Sequence, residues 1–82
     1  MNKIKRKSQY VNSALIKATA SLLSAYKEAH PDYESPLIRY CAEHKITKDD
    51  RVRFVRAAQQ LGWNVIRTDG KVYDDGRLAW SE

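Results

Sequence analysis

Two Asp-Gly pairs constrain the fold of this chain more than any other feature. Asp69-Gly70 and Asp75-Gly76 each favour a type I′ two-residue hairpin loop, because both loop residues need a positive φ. Short stretches that contain apolar residues flank each pair. The spacing predicts three antiparallel strands that follow one another between Val65 and Trp80.

Two-residue loops also fix the register of this sheet. The expected cross-strand pairs are Thr68–Lys71, Ile66–Tyr73, Asp74–Arg77, Tyr73–Leu78 and Lys71–Trp80. The face expected to be buried carries Ile66, Tyr73, Leu78 and Trp80. The face expected to be wetter carries Val65, Arg67, Val72, Asp74, Arg77 and Ala79.

A helix is predicted directly before the sheet, from about Lys48 to about Leu61. Thr47 is a natural N-cap with Asp50 three residues later, and Gly62 is suited to a left-handed stop. Its apolar face carries Phe54, Val55, Ala58 and Leu61, and the opposite face carries Asp49, Arg53, Arg56 and Gln60. The polar stripe either faces water, with an Asp49–Arg53 ion pair, or donates hydrogen bonds to a partner.

Two more helices are predicted upstream. The first runs from about Ser8 or Gln9 to about Ala29, where His30-Pro31 ends it. The second begins with Ser35 as N-cap and Pro36 at the first helical position, and ends near Glu43 or His44. The connection to the third helix is short and contains no glycine.

The first helix has an unusually wide apolar arc. One stripe consists of Val11, Leu15, Ala18, Leu22, Ala25 and Tyr26, and a second consists of Ile16, Ala20 and Leu23. Such an arc needs cover on more than one side. The cover comes either from the rest of the chain or from a second copy that packs on Ile16 and Leu23 in a homodimer.

The length of 82 residues fits one small domain. We therefore expect an α+β fold, with three helices followed by an antiparallel three-stranded sheet, over residues 9–82. No apolar run approaches the length of a membrane span, and Cys41 is the only cysteine. These features predict a cytoplasmic protein with no membrane association and no disulfide.

The net charge of +5 is concentrated in a basic arm, residues 1–8, which we expect to be flexible. The arm contains Lys3, Lys5, Arg6 and Lys7 and no acidic residue. The remaining residues are almost balanced, with eleven Lys or Arg against ten Asp or Glu. The arm is either a binder of phosphates or acidic surfaces, or a solubilising tail.

Enzymatic motifs are lacking. His30 and His44 are the only histidines, and with one cysteine they do not have the spacing of a zinc site. Each of the three glycines is explained by a helix stop or a hairpin turn, so no phosphate-binding loop is predicted. We expect no enzyme, no cofactor and no bound metal.

The order helix, helix, short turn, helix, hairpin resembles a winged-helix domain. Over Leu37 to Trp80 it is similar in element order to linker-histone-type winged helices, although it carries no signature motif. The resemblance implies a recognition helix over Lys48–Leu61 and a wing at Asp69-Gly70-Lys71. It implies groove contacts from Arg53, Arg56 and Gln60, phosphate contacts from Arg67, Lys71 and Arg77, and an arm in an adjacent groove.

These features predict a small nucleic-acid-binding protein, for example a regulator that binds duplex DNA. Asp49 and Asp50 oppose that interpretation, because recognition helices usually enter the groove by their N-terminal residues. The alternative is a small inhibitor or adaptor, for instance from a phage or mobile element, that docks on an acidic surface of a host protein. Its contacts would include Tyr10, Tyr33 and Tyr40.

Overall fold

A computed structural model describes residues 12–82. The helices are α1 (Ser13–Ala29), α2 (Pro36–Glu43) and α3 (Lys48–Gln60). The strands are β1 (Val65–Thr68), β2 (Lys71–Asp74) and β3 (Arg77–Ser81), and they form one antiparallel sheet in the order β1-β2-β3. The predicted α+β architecture is confirmed. The basic arm, residues 1–8, lies outside the described residues.

Helix α1 begins at Ser13 because Asn12 caps it. The side-chain oxygen of Asn12 accepts from the backbone nitrogens of Ala14 at 2.8 Å and Leu15 at 3.3 Å. The start predicted at Ser8 or Gln9 lies outside the described residues. The predicted end at Ala29 is confirmed.

The two apolar stripes of α1 have different surroundings. Ile16 and Leu23 are 7% and 0% exposed, and they pack in a core that α2, α3 and the sheet complete. Burial within the monomer thus occupies both residues, and a homodimer contact through them has almost no exposed surface to use. Leu15 and Leu22 belong to the other stripe and are 42% and 54% exposed.

A Schellman motif joins α2 to α3 without a glycine. Lys45 adopts φ +50°, and its amide donates to the Ala42 carbonyl at 3.4 Å. The amide of Ile46 donates to the Cys41 carbonyl at 3.0 Å, and the Ile46 side chain packs against the core. A lysine therefore occupies the left-handed position that glycine usually takes.

The predicted ends of α3 are confirmed. The hydroxyl of Thr47 accepts from the Asp50 amide at 3.3 Å, and Gly62 follows the helix with φ +81°. Phe54, Val55 and Ala58 are buried as expected, and Ala57 joins them. Helix α3 thereby presents its apolar face to the core and its N-terminal half to the sheet.

Both hairpin turns are confirmed as well. Asp69 and Gly70 have φ +52° and +71°, and Asp75 and Gly76 have φ +56° and +82°. The cross-strand pairs Thr68–Lys71, Ile66–Tyr73, Tyr73–Leu78 and Asp74–Arg77 are those that two-residue loops predict.

The fifth predicted pair, Lys71–Trp80, is wrong because β3 contains a bulge. Val72 pairs with Trp80 and Lys71 pairs with Ser81, which leaves Ala79 as an extra residue in β3. The extra residue turns the Trp80 side chain toward the face that carries Val72.

The predicted orientation of the sheet is also wrong. Val65, Val72 and Asp74 are buried, whereas Ile66 and Leu78 are 50% and 51% exposed. The bulge moves Trp80 from the face of Ile66, Tyr73 and Leu78 to the face of Val65 and Val72, so the two faces have similar apolar content. Alternation of residues alone then does not decide which face packs on the helices. Side-chain contacts with α2 decide it.

The decisive contact is a cap that β2 supplies to α2. The buried Asp74 is 1% exposed, and its Oδ2 accepts from the backbone nitrogens of Leu37 at 2.9 Å and Ile38 at 3.2 Å. Ser35 precedes the helix as predicted, but its hydroxyl donates to the Asp74 carbonyl oxygen at 3.2 Å instead of capping. Burial raises the pKa of Asp74, and the two amide hydrogen bonds oppose that shift.

Replacing Asp74 by Ala is expected to lower the free energy of unfolding by about 3 kcal/mol, because the buried amide of Leu37 and the partly buried amide of Ile38 lose their acceptor. Asp74→Asn keeps an acceptor oxygen and should cost less. Urea denaturation measures both. The exposed Asp32→Ala is the control and should change stability by less than about 0.5 kcal/mol; an equal loss in Asp32→Ala and Asp74→Ala contradicts the cap.

The raised pKa of Asp74 predicts the direction in which the stability of the protein changes with pH. A carboxyl that binds its proton more readily in the folded chain stabilises the fold as pH falls through its folded-state pKa toward the ordinary value of about 3.9. As the pH is lowered from the folded-state pKa to about 3.9, the stability of the wild-type protein should therefore increase relative to that of Asp74→Asn. A loss over the same window contradicts the direction of the shift.

Lys45→Gly is expected to raise the free energy of unfolding by about 0.5–1 kcal/mol, because glycine adopts a positive φ without strain. Lys45→Ala removes the same charge but retains the strain, so it should leave stability nearly unchanged. Thermal unfolding of the two variants provides the comparison. A stability of Lys45→Gly at or below that of Lys45→Ala contradicts the expectation.

Candidate functional site

A groove of about 270 Å³ separates the N-terminal half of α3 from the sheet. We call it the α3–sheet groove. Its lining residues are Lys48, Asp49, Arg51, Val52, Val55, Arg67, Trp80 and Glu82. Helix α3 supplies one wall, and β1, β3 and the residue after β3 supply the other.

Trp80 and Arg51 form the floor of this groove. The Arg51 guanidinium lies 4.9 Å from the centroid of the Trp80 ring, within the range of a cation–π contact. The Nε of Arg51 is buried and has no hydrogen-bond partner within residues 12–82. The bulge at Ala79 creates this contact, because a regular β3 would place Trp80 on the opposite face.

Arg67 and Glu82 form the rim. Their side chains are joined by an ion pair, in which Arg67 Nε lies 3.4 Å from Glu82 Oε2. The amide of Glu82 donates to the Gly70 carbonyl at 2.7 Å, which holds this carboxylate beside the first hairpin turn. The groove thus contains three cations, Lys48, Arg51 and Arg67, against the two carboxylates of Asp49 and Glu82.

Three residues of α3 were predicted to contact the major groove of DNA. One of them is held in contacts within the protein, and the other two are exposed. Arg53 donates from Nε to Thr19 Oγ1 at 2.9 Å and from Nη1 to Asp50 Oδ1 at 3.4 Å, so it links α3 to α1. The predicted Asp49–Arg53 ion pair is replaced by Asp50–Arg53. Arg56 and Gln60 are exposed on α3.

The residues predicted to contact phosphates lie in different parts of the sheet. Arg67 lies in the α3–sheet groove, whereas Lys71 is exposed opposite Thr68 and Ser81 on the other face of the sheet. Arg77 lies at the other end of the sheet, where it forms an ion pair with Glu34. The four predicted contacts of the arm, Lys3, Lys5, Arg6 and Lys7, lie outside the described residues.

Of the residues that line the groove, only Arg67 was predicted from the sequence to contact a ligand. Lys48 and Arg51 belong to the first turn of α3, where the sequence pattern assigns a role only to Asp49 and Asp50. Their position near a hairpin was not visible without the packing of the sheet. Trp80 was assigned to the wrong face because no sequence signal marks the bulge.

Two of the tyrosines predicted to contact a protein partner pack against other aromatic rings of the same chain. Tyr33 and Tyr40 are half-buried, and they belong to a cluster of aromatic rings around Tyr26 whose centroids lie 5.9 and 5.1 Å from its ring. His30 stacks on Tyr33 at 4.4 Å, and His44 stacks on Tyr40 at 4.2 Å. Tyr10 lies outside the described residues.

Other chemistry is limited in the part of the chain that the structure describes. Burial raises the pKa of the Cys41 thiol to about 12, which makes it a core residue instead of a nucleophile. Residues 12–82 contain no group of three His, Cys, Asp or Glu that could hold a metal ion. None of the helices described is long and apolar enough to span a bilayer.

Comparisons of this chain with protein-family models, with curated proteins and with solved structures found no match. The function must therefore be inferred from the structure, and the α3–sheet groove is the feature that best indicates a binding site. It combines clustered cations, a half-buried tryptophan and an adjacent exposed helix face.

Arg53→Ala is expected to lower the free energy of unfolding by about 1–2 kcal/mol, because Thr19 and Asp50 both lose a donor at the α1–α3 contact. Arg56→Ala removes the same charge from an exposed site and should change stability by less than about 0.5 kcal/mol. Chemical denaturation of both variants measures the two changes in the free energy of unfolding. Equal effects would contradict a structural role for Arg53.

Proposed function

We propose that this protein binds nucleic acid, with duplex DNA as its ligand, as a small winged-helix-like module. The observation that carries the proposal is the α3–sheet groove, which places Lys48, Arg51 and Arg67 beside the exposed face of α3. Three helices followed by a hairpin supply the layout of a winged helix. In this proposal α3 is the recognition helix and the β1–β2 hairpin is the wing.

The cations of the groove would position the duplex. Lys48 lies on the first turn of α3 and Arg67 on β1, so together they can hold a phosphate backbone that crosses between helix and hairpin. Lys71 pairs with Thr68 and Ser81 on the other face of the sheet, so it lies outside this cationic surface. Backbone contacts of this kind supply affinity and depend strongly on salt.

The exposed face of α3 would read base edges. Arg56 lies one helical turn beyond Val52, which lines the groove, and Gln60 lies one turn further on the same side. Arginine can pair with guanine and glutamine with adenine in the major groove. Arg53 has no part in this reading because Thr19 and Asp50 hold it.

Two carboxylates act against the proposed ligand. Glu82 must release Arg67 before that guanidinium can meet a phosphate, and Asp49 adds a second negative charge. We therefore expect modest affinity in the body of the protein, increased by the basic arm. Glu82→Gln should strengthen binding, since it removes a competing charge and frees Arg67.

The test is a titration of a short labelled duplex at low and moderate salt. Lys48→Ala/Arg67→Ala is expected to weaken binding about tenfold and to reduce the salt slope by about 2, since each lost phosphate contact reduces it by about one. Lys27→Ala/Arg39→Ala removes the same charge from α1 and α2, away from the groove, and is the matched control. Glu82→Gln should bind more tightly than wild type.

A full-length variant with Lys3, Lys5, Arg6 and Lys7 replaced by Gln separates the arm from the groove. If only this variant loses affinity, the arm is a nonspecific tether and the assignment of the groove is wrong. If the groove variant and the Lys27/Arg39 control lose affinity equally, net charge explains the binding. If wild type does not bind even at low salt, the nucleic-acid proposal is wrong.

A second candidate, a protein-binding adaptor or inhibitor, is favoured by one observation. Ile66, Tyr73 and Leu78 pair across the three strands and form an apolar outer row on the sheet face turned away from the helices. The exposed Lys71 borders this row, so a complementary partner would present an apolar strip next to a carboxylate. The same titration separates the candidates, because changes to the outer row should leave binding of DNA unchanged.

A further inference from the structure

Helix α1 retains an exposed apolar seam after the core has formed. Leu15 and Leu22 are 42% and 54% exposed. Ala18, which lies between them, and Ala25, which follows Leu22, are also exposed. Their spacing of three, four and three residues is the a/d spacing of a helix-pairing seam. The residues of α1 that face the core, Ile16, Ala20 and Leu23, lie outside this seam.

We propose that the α1 seam pairs with the α1 seam of a second copy of this chain, in antiparallel orientation about a two-fold axis. A two-fold pairing uses the same patch on both subunits, so the patch must be complementary to itself. The sizes and charges of the residues on α1 favour one orientation.

Size complementarity favours the antiparallel arrangement. It places Leu15 against Ala25 of the partner subunit, and Leu22 against Ala18 of the partner subunit. Every layer then contains one leucine and one alanine, and the two helices keep an even separation. A parallel pair would stack leucine on leucine and alanine on alanine in alternate layers, so the separation that fits one layer would not fit the next.

Charge complementarity favours the same arrangement. Lys17 and Glu28 are both exposed on one flank of the seam, and neither forms an ion pair within residues 12–82. In an antiparallel pair this flank faces its own copy. Glu28 of the partner subunit then lies about five residues, or roughly 7.5 Å along the axis, from Lys17, and both side chains lean toward each other.

A parallel pair would place this flank against the opposite one. That flank carries Asn12, Thr19 and Tyr26 and no charged side chain, so Lys17 and Glu28 would find no partner. The antiparallel pair instead forms the Lys17–Glu28 contact twice. The small seam predicts a reversible dimer that depends on protein concentration, because stable interfaces bury considerably more surface.

The test is sedimentation equilibrium of the full-length protein over a range of concentrations. Wild type should shift from monomer to dimer as concentration rises. Leu22→Glu should weaken dimerisation by about tenfold or more, because it places a carboxylate in the seam. Leu78→Glu is the matched control: it changes a leucine of similar exposure on the sheet and should dimerise as wild type does.

Charge reversal tests the orientation without altering the apolar seam. Lys17→Glu and Glu28→Lys should each weaken the dimer, and the double variant Lys17→Glu/Glu28→Lys should restore it. Circular dichroism confirms that each variant is folded. The proposal is overturned if wild type remains monomeric at every concentration, as it would if residues 1–11 covered the seam. It is also overturned if Leu78→Glu disrupts the dimer as strongly as Leu22→Glu, or if the double reversal fails to restore it.

Discussion

The Asp74 carboxylate, which caps α2 from strand β2, is the interaction on which the arrangement of helices and sheet depends. Helix α2 offers free amides at its N-terminus, and a buried helix end needs an acceptor. Asp74 supplies it from 37 and 36 residues away. With this contact in place, Val65 and Val72 must face inward and Ile66 and Leu78 outward. One polar contact therefore selects between two sheet faces of similar apolar content.

The orientation of the sheet in turn creates the α3–sheet groove. Arg67 is on the same face as Val72, so turning Val72 inward directs Arg67 toward α3. The bulge at Ala79 then adds Trp80 to that face, where Arg51 covers its ring. The proposed function thus rests on two local features, a buried cap and one extra residue in β3. Both are distant in sequence from the α3 cations that they bring to the groove.

Local signals in the sequence predicted most of the fold. The Asp-Gly pairs, Thr47, Pro36 and Gly62 act within a few residues of their own positions, and each turn or helix end that they predicted is present. Alternation in the strands predicted the wrong buried face, because no sequence signal marks the bulge that moves Trp80 to the other face. Non-local hydrogen bonds, such as those of Asp74, leave no sequence pattern that could correct the assignment.

The candidate site was less predictable than the fold for the same reason. A charged residue on a predicted helix face becomes a contact residue or a structural link according to what packs beside it. Arg53 lies next to Thr19 of α1 and is held there, whereas Arg51, on the other side of α3, reaches Trp80. Sequence periodicity placed these residues on α3 but could not identify their neighbours.

The most direct test of the central claim is a map of amide and indole chemical shifts in ¹⁵N-labelled protein as a short DNA duplex is added. We expect shifts to concentrate at Val52, Arg56, Arg67 and the Trp80 indole, with little change at Leu15 and Ile66. Shifts centred on the outer row of the sheet, or spread evenly over the surface, would contradict the assignment of the groove as the nucleic-acid interface.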